Sequence, residues 1–238
     1  MSLEKEIKGI DNTRKCQRNW DLSKDVPQEH IDHWIYLATN SPSKQDESFF
    51  DLYVLTDREK IDFLCKDHSW GFTMESGKDE VVRNPQIGAN VLFCFNKKSD
   101  DSDVRNFDEY GNPRDPNSDS FEWSNPFTSI GIASGIVAFS ANMMGYRTGY
   151  AKCMTYKQTP KESKEVWGET LGIPKAENQL AFCLGIGYPD ETLEWNQSKD
   201  NNEYLSGGPI DWKQNKLEKD FKYYSFSSNP RTIKVIKI

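Results

Sequence analysis

Between Arg14 and Trp20 the chain reads Arg14-Lys15-Cys16-Gln17-Arg18-Asn19-Trp20, a tight basic cluster with a thiol inside it. An arginine fork matches phosphate oxygens two at a time, so paired arginines ahead of an aromatic suit a bound anion. One helix later comes a polar turn, Ser41-Pro42-Ser43-Lys44-Gln45-Asp46. Such a turn offers backbone N–H groups and hydroxyls where a helix gives out, and Pro42 fixes the direction of the chain. The two stretches look like two walls of a small-molecule site. A solvated cationic face is the commoner fate of a cluster such as Arg14, Lys15 and Arg18. The turn that follows favours the site.

These residues need elements to hold them. Leu3, Ile7 and Ile10 have the spacing of a short amphipathic helix leading into the basic run. Pro27 opens a second helix, to about Asn40, with Ile31, Trp34, Ile35 and Ala38 on one face. His30 and His33 sit on it at i, i+3, but without a nearby third ligand they read as solvated surface rather than a metal pair. Phe49 to Leu55 reads as a strand buried on both faces, and Asp57 as the cap of a helix carrying Ile61 and Leu64. Trp70 to Lys78 reads as a loop. Ala89 to Phe95 and Ala181 to Gly187 are further strands.

Ser129 to Met144 is apolar or small throughout and predicts a buried helix, ended by Gly145. Gly145-Tyr146-Arg147-Thr148-Gly149 is not a dinucleotide fingerprint, since it lacks the G-x-G-x-x-G spacing and a preceding strand. Thr159-Pro160-Lys161-Glu162 is a capping box for a helix that Gly172 closes. Glu191 to Lys216 is polar and irregular, and Thr232 to Ile238 is β-rich.

Composition narrows the class. At 238 residues the chain fits one domain, expected to span 1–238. A net charge of −7 argues against nucleic acid as a partner, which asks for a basic patch. No apolar run approaches the roughly eighteen residues of a membrane span, and the N-terminus lacks a signal peptide's apolar region. Five cysteines without a C-x-x-C make a disulfide frame or a structural zinc site a poor reading, so a reducing cytoplasm is the expected setting.

The pattern Arg-x-Cys-x-Arg-x-Trp at 14–20, then Val26-Pro27-Gln28-Glu29, then Ser41-Pro42-Ser43, resembles the start of the nitroreductase family. That family's signature runs Arg-Arg-Ser-x-Arg-x-Phe, then Ala-Pro-Ser-x-x-Asn-x-Gln-Pro. A weaker likeness extends through Asn84-Pro85-Gln86, the helix Ser129–Met144 and the strand ending Gly187-Tyr188-Pro189. The resemblance implies an α+β fold with a central, mostly antiparallel sheet flanked by helices. It also implies a homodimer in which each C-terminal strand joins the partner's sheet.

As to function, the resemblance implies an FMN-dependent oxidoreductase. It would take a hydride from NAD(P)H through flavin N5 to a nitroaromatic, quinone or similar acceptor in a ping-pong cycle.

The same resemblance carries roles residue by residue. Arg14 would hold the FMN phosphate beside Lys15, and Arg18 would lie near the pyrimidine edge, where a cation steadies the charge of the reduced ring. Cys16 stands at the family's serine position and is the poorer donor. Ser41, Pro42 and Ser43 would reach a flavin bound mainly by the other subunit. Asp46 replaces the usual asparagine and cannot donate to a carbonyl. Asn84 is the candidate against the pyrimidine ring, although Asn-Pro is equally an ordinary turn.

The backbone N–H of Cys153, with Lys152 beside it, would face N5. Arg231, with Lys234 second, would meet the phosphate from the C-terminal arm at 224–238. The acidic segment 97–125 would form a lid. No catalytic side chain and no metal are expected, because the chemistry would belong to the flavin.

Other readings stay open. The changes at Cys16, Asp46 and Ser48 would suit a flavin-binding protein without turnover, and an α+β domain without flavin is the bland alternative. Within the enzymes, a reductive dehalogenase or a flavin-consuming oxygenase on the same fold is compatible too, because fold does not set function.

Overall fold

In the computed structural model the described residues are 2–14, 16–17, 20–43, 46–69, 72–73, 81–82, 86–98, 121–152, 160–190, 210–211 and 216–217. Two apolar runs with no break for a turn supply the centre of the fold: β4 (Val91–Lys97) and β6 (Leu180–Gly187) pair antiparallel. Outside them lie β1 (Phe50–Leu55) on β4 and β5 (Arg147–Ala151) on β6, giving the order β1-β4-β6-β5 with every pairing antiparallel. Short ladders join β2 (Phe72–Thr73) to β3 (Val81–Val82), and β7 (Ile210–Asp211) to β8 (Lys216–Leu217). Phe72–Thr73 and Ile210–Asp211 fall in stretches expected to be loop or irregular chain.

Side chains alternate across a strand, and here both faces are covered. Val91, Phe93, Phe95, Leu184 and Ile186 face α2 (Gln28–Thr39) and α4 (Phe121–Met143), with Trp34, Ala133, Val137 and Ala141 closing that layer. Leu92, Cys94 and Cys183 face the opposite way. They pack with Ile61, Leu64 and Cys65 of α3 (Arg58–Asp67) and with Trp167 of α5 (Pro160–Leu171). The α+β expectation holds.

Local signals set several helix ends. Asp57 accepts from the N–H groups of Glu59 and Lys60 at 3.0 and 3.2 Å, satisfying two of the donors a helix start leaves open. Gly145 (φ +96°) and Gly172 (φ +74°) adopt the left-handed conformation that ends α4 and α5. Thr159 of the expected capping box lies outside the described residues.

Several expectations need correction. β1 begins at Phe50 and is an edge strand with Asp51 exposed, not a strand buried on both faces. Helix α4 starts at Phe121, so 121–125 belong to it and not to a lid. Segment 99–120 lies outside the described residues.

From Asn125 to Met143, α4 is also long and apolar enough to cross a membrane by length and composition, contrary to the sequence reading. Ile130, Ala133, Val137, Ala138 and Ala141 lie in the core, as in a core helix. In α1 (Leu3–Arg14) the apolar stripe Leu3, Ile7 and Ile10 is 71%, 55% and 56% exposed, and Gly9 is what meets Phe139 and Met143 of α4.

Candidate functional site

Cys16 and Gln17 of the basic run lie along the outer edge of β5. Gln17 donates its N–H to the carbonyl of Thr148 at 2.8 Å, and Asp21 donates to that of Tyr188 at 2.9 Å. Between them Trp20 is fully buried and bridges to Pro189. The approach is close enough to require glycine. A Cβ on Gly149 would stand 2.6 Å from the Gln17 carbonyl oxygen and 3.2 Å from the Trp20 ring. The segment thus covers an edge that would otherwise offer open ladder groups.

The chain direction holds Arg14, half-buried, where α1 ends beside that edge. Cys16 does not point its thiol outward as a free phosphate donor. Its sulfur accepts the N–H of Tyr150 at 3.2 Å and sits 3.6 Å from the same residue's carbonyl oxygen. Lys15 and Arg18 lie outside the described residues.

The polar turn lies at the far side of the sheet. Ser41 donates its hydroxyl to the Ala38 carbonyl at 2.9 Å, so it closes the end of α2 rather than facing a ligand. Pro42 is exposed and Ser43 half-buried, and among the described residues the Ser43 hydroxyl has no hydrogen bond. Asp46 is exposed with φ +60°, a left-handed position that Asp and Asn tolerate better than most. The exchange of the family's Asn for Asp therefore keeps the backbone and changes the donor. Between this turn, the end of α2 and β1 runs a cleft of about 530 Å³, with Ser43, Asp46, Thr39 and Phe50 among its walls.

One protomer does not bring the two walls together. They flank β5 and β1, opposite edges of a four-stranded sheet. Three strand spacings of roughly 4.8 Å put those edges about 14 Å apart. Lys152 is exposed just past β5, on the side of the basic run. Asn84, Cys153 and Arg231 lie outside the described residues, as does the C-terminal arm.

Sequence reasoning missed a polar cluster between the walls. The His30 imidazole and the Tyr146 hydroxyl are 2.7 Å apart, and Tyr146 and Tyr188 hydroxyls 3.2 Å apart. His33 is exposed, 3.4 Å from the Ser140 hydroxyl, as the surface reading expects, whereas half-buried His30 departs from it. No spacing in the chain announces contacts made across 116 residues. Burial, then the Tyr188 hydroxyl, holds the Tyr146 phenol above its usual range. Burial, with Cys16 adding, pushes the Tyr150 phenol up to about 12. Hydrogen bonds from Ser23 and Lys24 hold the Asp21 carboxyl down at about 2.

No family model matches the chain, and no curated protein matches it. Solved structures do. An FMN-dependent nitroreductase from Clostridium difficile aligns with a TM-score of 0.51 at 16% identity, over 82% of this chain and 99% of that one. Nitroreductase A from Vibrio parahaemolyticus aligns at 0.54 and 18% identity, over 90% and 82% of the two chains. A nitroreductase family protein from Clostridium novyi gives 0.51 at 15% identity, over 81% and 87%. At these identities the likeness shows the fold.

Proposed function

We propose that this chain, which has the nitroreductase fold, is an FMN-dependent oxidoreductase assembled as a homodimer. It would oxidise NAD(P)H and reduce a small acceptor such as a nitroaromatic or quinone in alternate half-reactions. One observation carries the reading: the basic run and the proline turn occupy opposite edges of the same sheet. Helices cover both faces of the sheet between them, so a second copy that brings its turn to the first copy's basic run is the arrangement that lets one flat anionic ligand meet both.

The residues fit FMN in part. Half-buried Arg14 suits the phosphate, and Arg18 the pyrimidine edge. Ser43 and Pro42 of a second copy suit the opposite face of the ring, since the Ser43 hydroxyl is unspent among the described residues. Cys16 and Ser41 do not fit as side-chain ligands, because both are engaged with main chain. Their backbone groups are what remain. Bound FMN would supply hydride acceptance and donation at N5. The chain's part is to grip the phosphate, to set cations near the ring's pyrimidine edge, and to exclude water between protomers.

The dimer has surface to form on. Exposed Leu3, Ile7 and Ile10 of α1 lie on a helix packed against α4, whose Phe127 and Ile132 are also exposed. Exposed apolar side chains on both of these helices are surface that a second copy would cover.

The test is direct. Purified protein mixed with FMN and desalted should stay yellow, bleach with NADH or NADPH under anaerobic conditions, and regain colour on adding a nitroaromatic or quinone. A protein left colourless by added FMN sinks the proposal. Colour that neither nicotinamide bleaches would favour a flavin-binding protein without turnover.

A further inference from the structure

At the middle of the sheet, away from both walls, two cysteines stand opposite each other. Cys94 of β4 pairs in register with Cys183 of β6, both are fully buried, and their sulfurs are 3.2 Å apart. Directly opposed residues of antiparallel strands hold their Cβ atoms about 4.5–5.5 Å apart on the same face. A disulfide asks for Cβ atoms about 3.5–4.5 Å apart and Cα atoms about 4.4–6.8 Å apart. Small strand adjustments and side-chain rotation therefore close the gap, with no change of register.

We propose that Cys94 and Cys183 are a latent redox pair, a modification site that closes to an intrachain cross-strand disulfide on exposure to hydrogen peroxide. The first sulfur attacks a peroxide oxygen, the O–O bond breaks, and a sulfenic acid and one water result. The second sulfur then attacks the sulfenic sulfur, the S–O bond breaks, and a second water leaves. Two thiols give up two electrons and their two hydrogens, and one peroxide takes them.

Peroxide is close to water in size, whereas a glutathione disulfide would have to part the central strands to reach either sulfur. Burial, then the Cys94 thiol beside it, pushes the Cys183 thiol well up, so thiolate is scarce and closure is slow at neutral pH. The bond would join β4 to β6 across a long loop, and constraining such a loop in the unfolded chain stabilises the folded one. The closure does not depend on flavin.

The full-length wild-type protein is held with hydrogen peroxide, then denatured, alkylated, digested and mapped by mass spectrometry without reduction. The expected product is a peptide pair linking Cys94 to Cys183 and lacking two hydrogens. It should form faster at alkaline than at neutral pH. The oxidised protein should melt about 5–10 °C higher, reversibly on reduction. Cys183→Ala should lose both the link and the shift.

Recovery of both residues as alkylated free thiols, at a peroxide dose that oxidises half-buried Cys16, would overturn the proposal. So would their separate oxidation to sulfinic acids. Either result leaves Cys94 and Cys183 as packing residues.

Discussion

Gly149 shows how one missing side chain positions the basic run. The Gln17 carbonyl and the Trp20 ring occupy the space its Cβ would need. Gly149→Ala must push that segment outward, because the obstacle at 2.6 Å is backbone. The expected cost is about 1–3 kcal/mol by chemical denaturation, typical of overpacking. FMN retention should weaken with it, whereas an equally destabilising core change elsewhere should leave retention intact.

Tyr150, half-buried with the Cys16 sulfur against its backbone, makes a second prediction. Its phenol ionises at about 12 when folded and near 10 when unfolded, so the unfolded chain gives up the proton first. The stability tied to this group is complete below pH 10 and is lost as pH climbs toward 12. Tyr146 adds to the same alkaline loss. Tyr150→Phe should therefore flatten the alkaline fall in melting temperature without abolishing it. Identical alkaline profiles for the two proteins would refute the assignment. None of this was legible in the chain, because Gly149 and Tyr150 take their meaning from neighbours that the sheet brings to them. The basic run, by contrast, stands out by type and spacing alone, and its role as a ligand site is the proposal.

Elements were legible where a local signal fixes an end. Asp57 sits just before α3 and satisfies two of its open N–H groups, as its position foretold. Asp57→Ala should cost about 1 kcal/mol in urea unfolding. A loss within error would mean that water serves those donors as well. Gly145 and Gly172 likewise end α4 and α5 where glycine tolerates positive φ.

The misreadings came where packing, not propensity, chose. α4 runs back through Pro126 to Phe121, although the helix is expected to begin at Ser129 and 97–125 to form an acidic lid. β1 carries a strand's alternation, yet its place in the order leaves it at an edge, with Asp51 exposed and Lys98 3.6 Å from its carboxylate. Strand order is a property of pairing, and β1 names no neighbour in its own residues. A charged edge of this sort discourages indiscriminate pairing.

At the scale of the whole molecule, the sheet's width is what turns two sequence signals into half-sites. The basic run and the turn are one helix apart along the chain but flank opposite edges of a sheet about 14 Å wide across three strand spacings. The proposed dimer would offer two composite sites, each with one copy's arginines and the other copy's turn. That geometry makes a prediction that a site within one protomer cannot share. Arg14→Ala removes the cation proposed to hold the phosphate, and Ser43→Tyr crowds the turn. Homodimers of either variant should lose most of their FMN. In a mixed dimer, one composite site gathers both defects and the other gathers neither. Co-expressed variants carrying different affinity tags, purified through both, should thus retain close to one FMN per dimer. If each protomer built its own site, every site in the mixed dimer would hold one defect, and flavin content would stay as low as in the parents. Absorbance of the doubly purified dimer separates the two outcomes, and loss of dimerisation in either parent would show beforehand by light scattering.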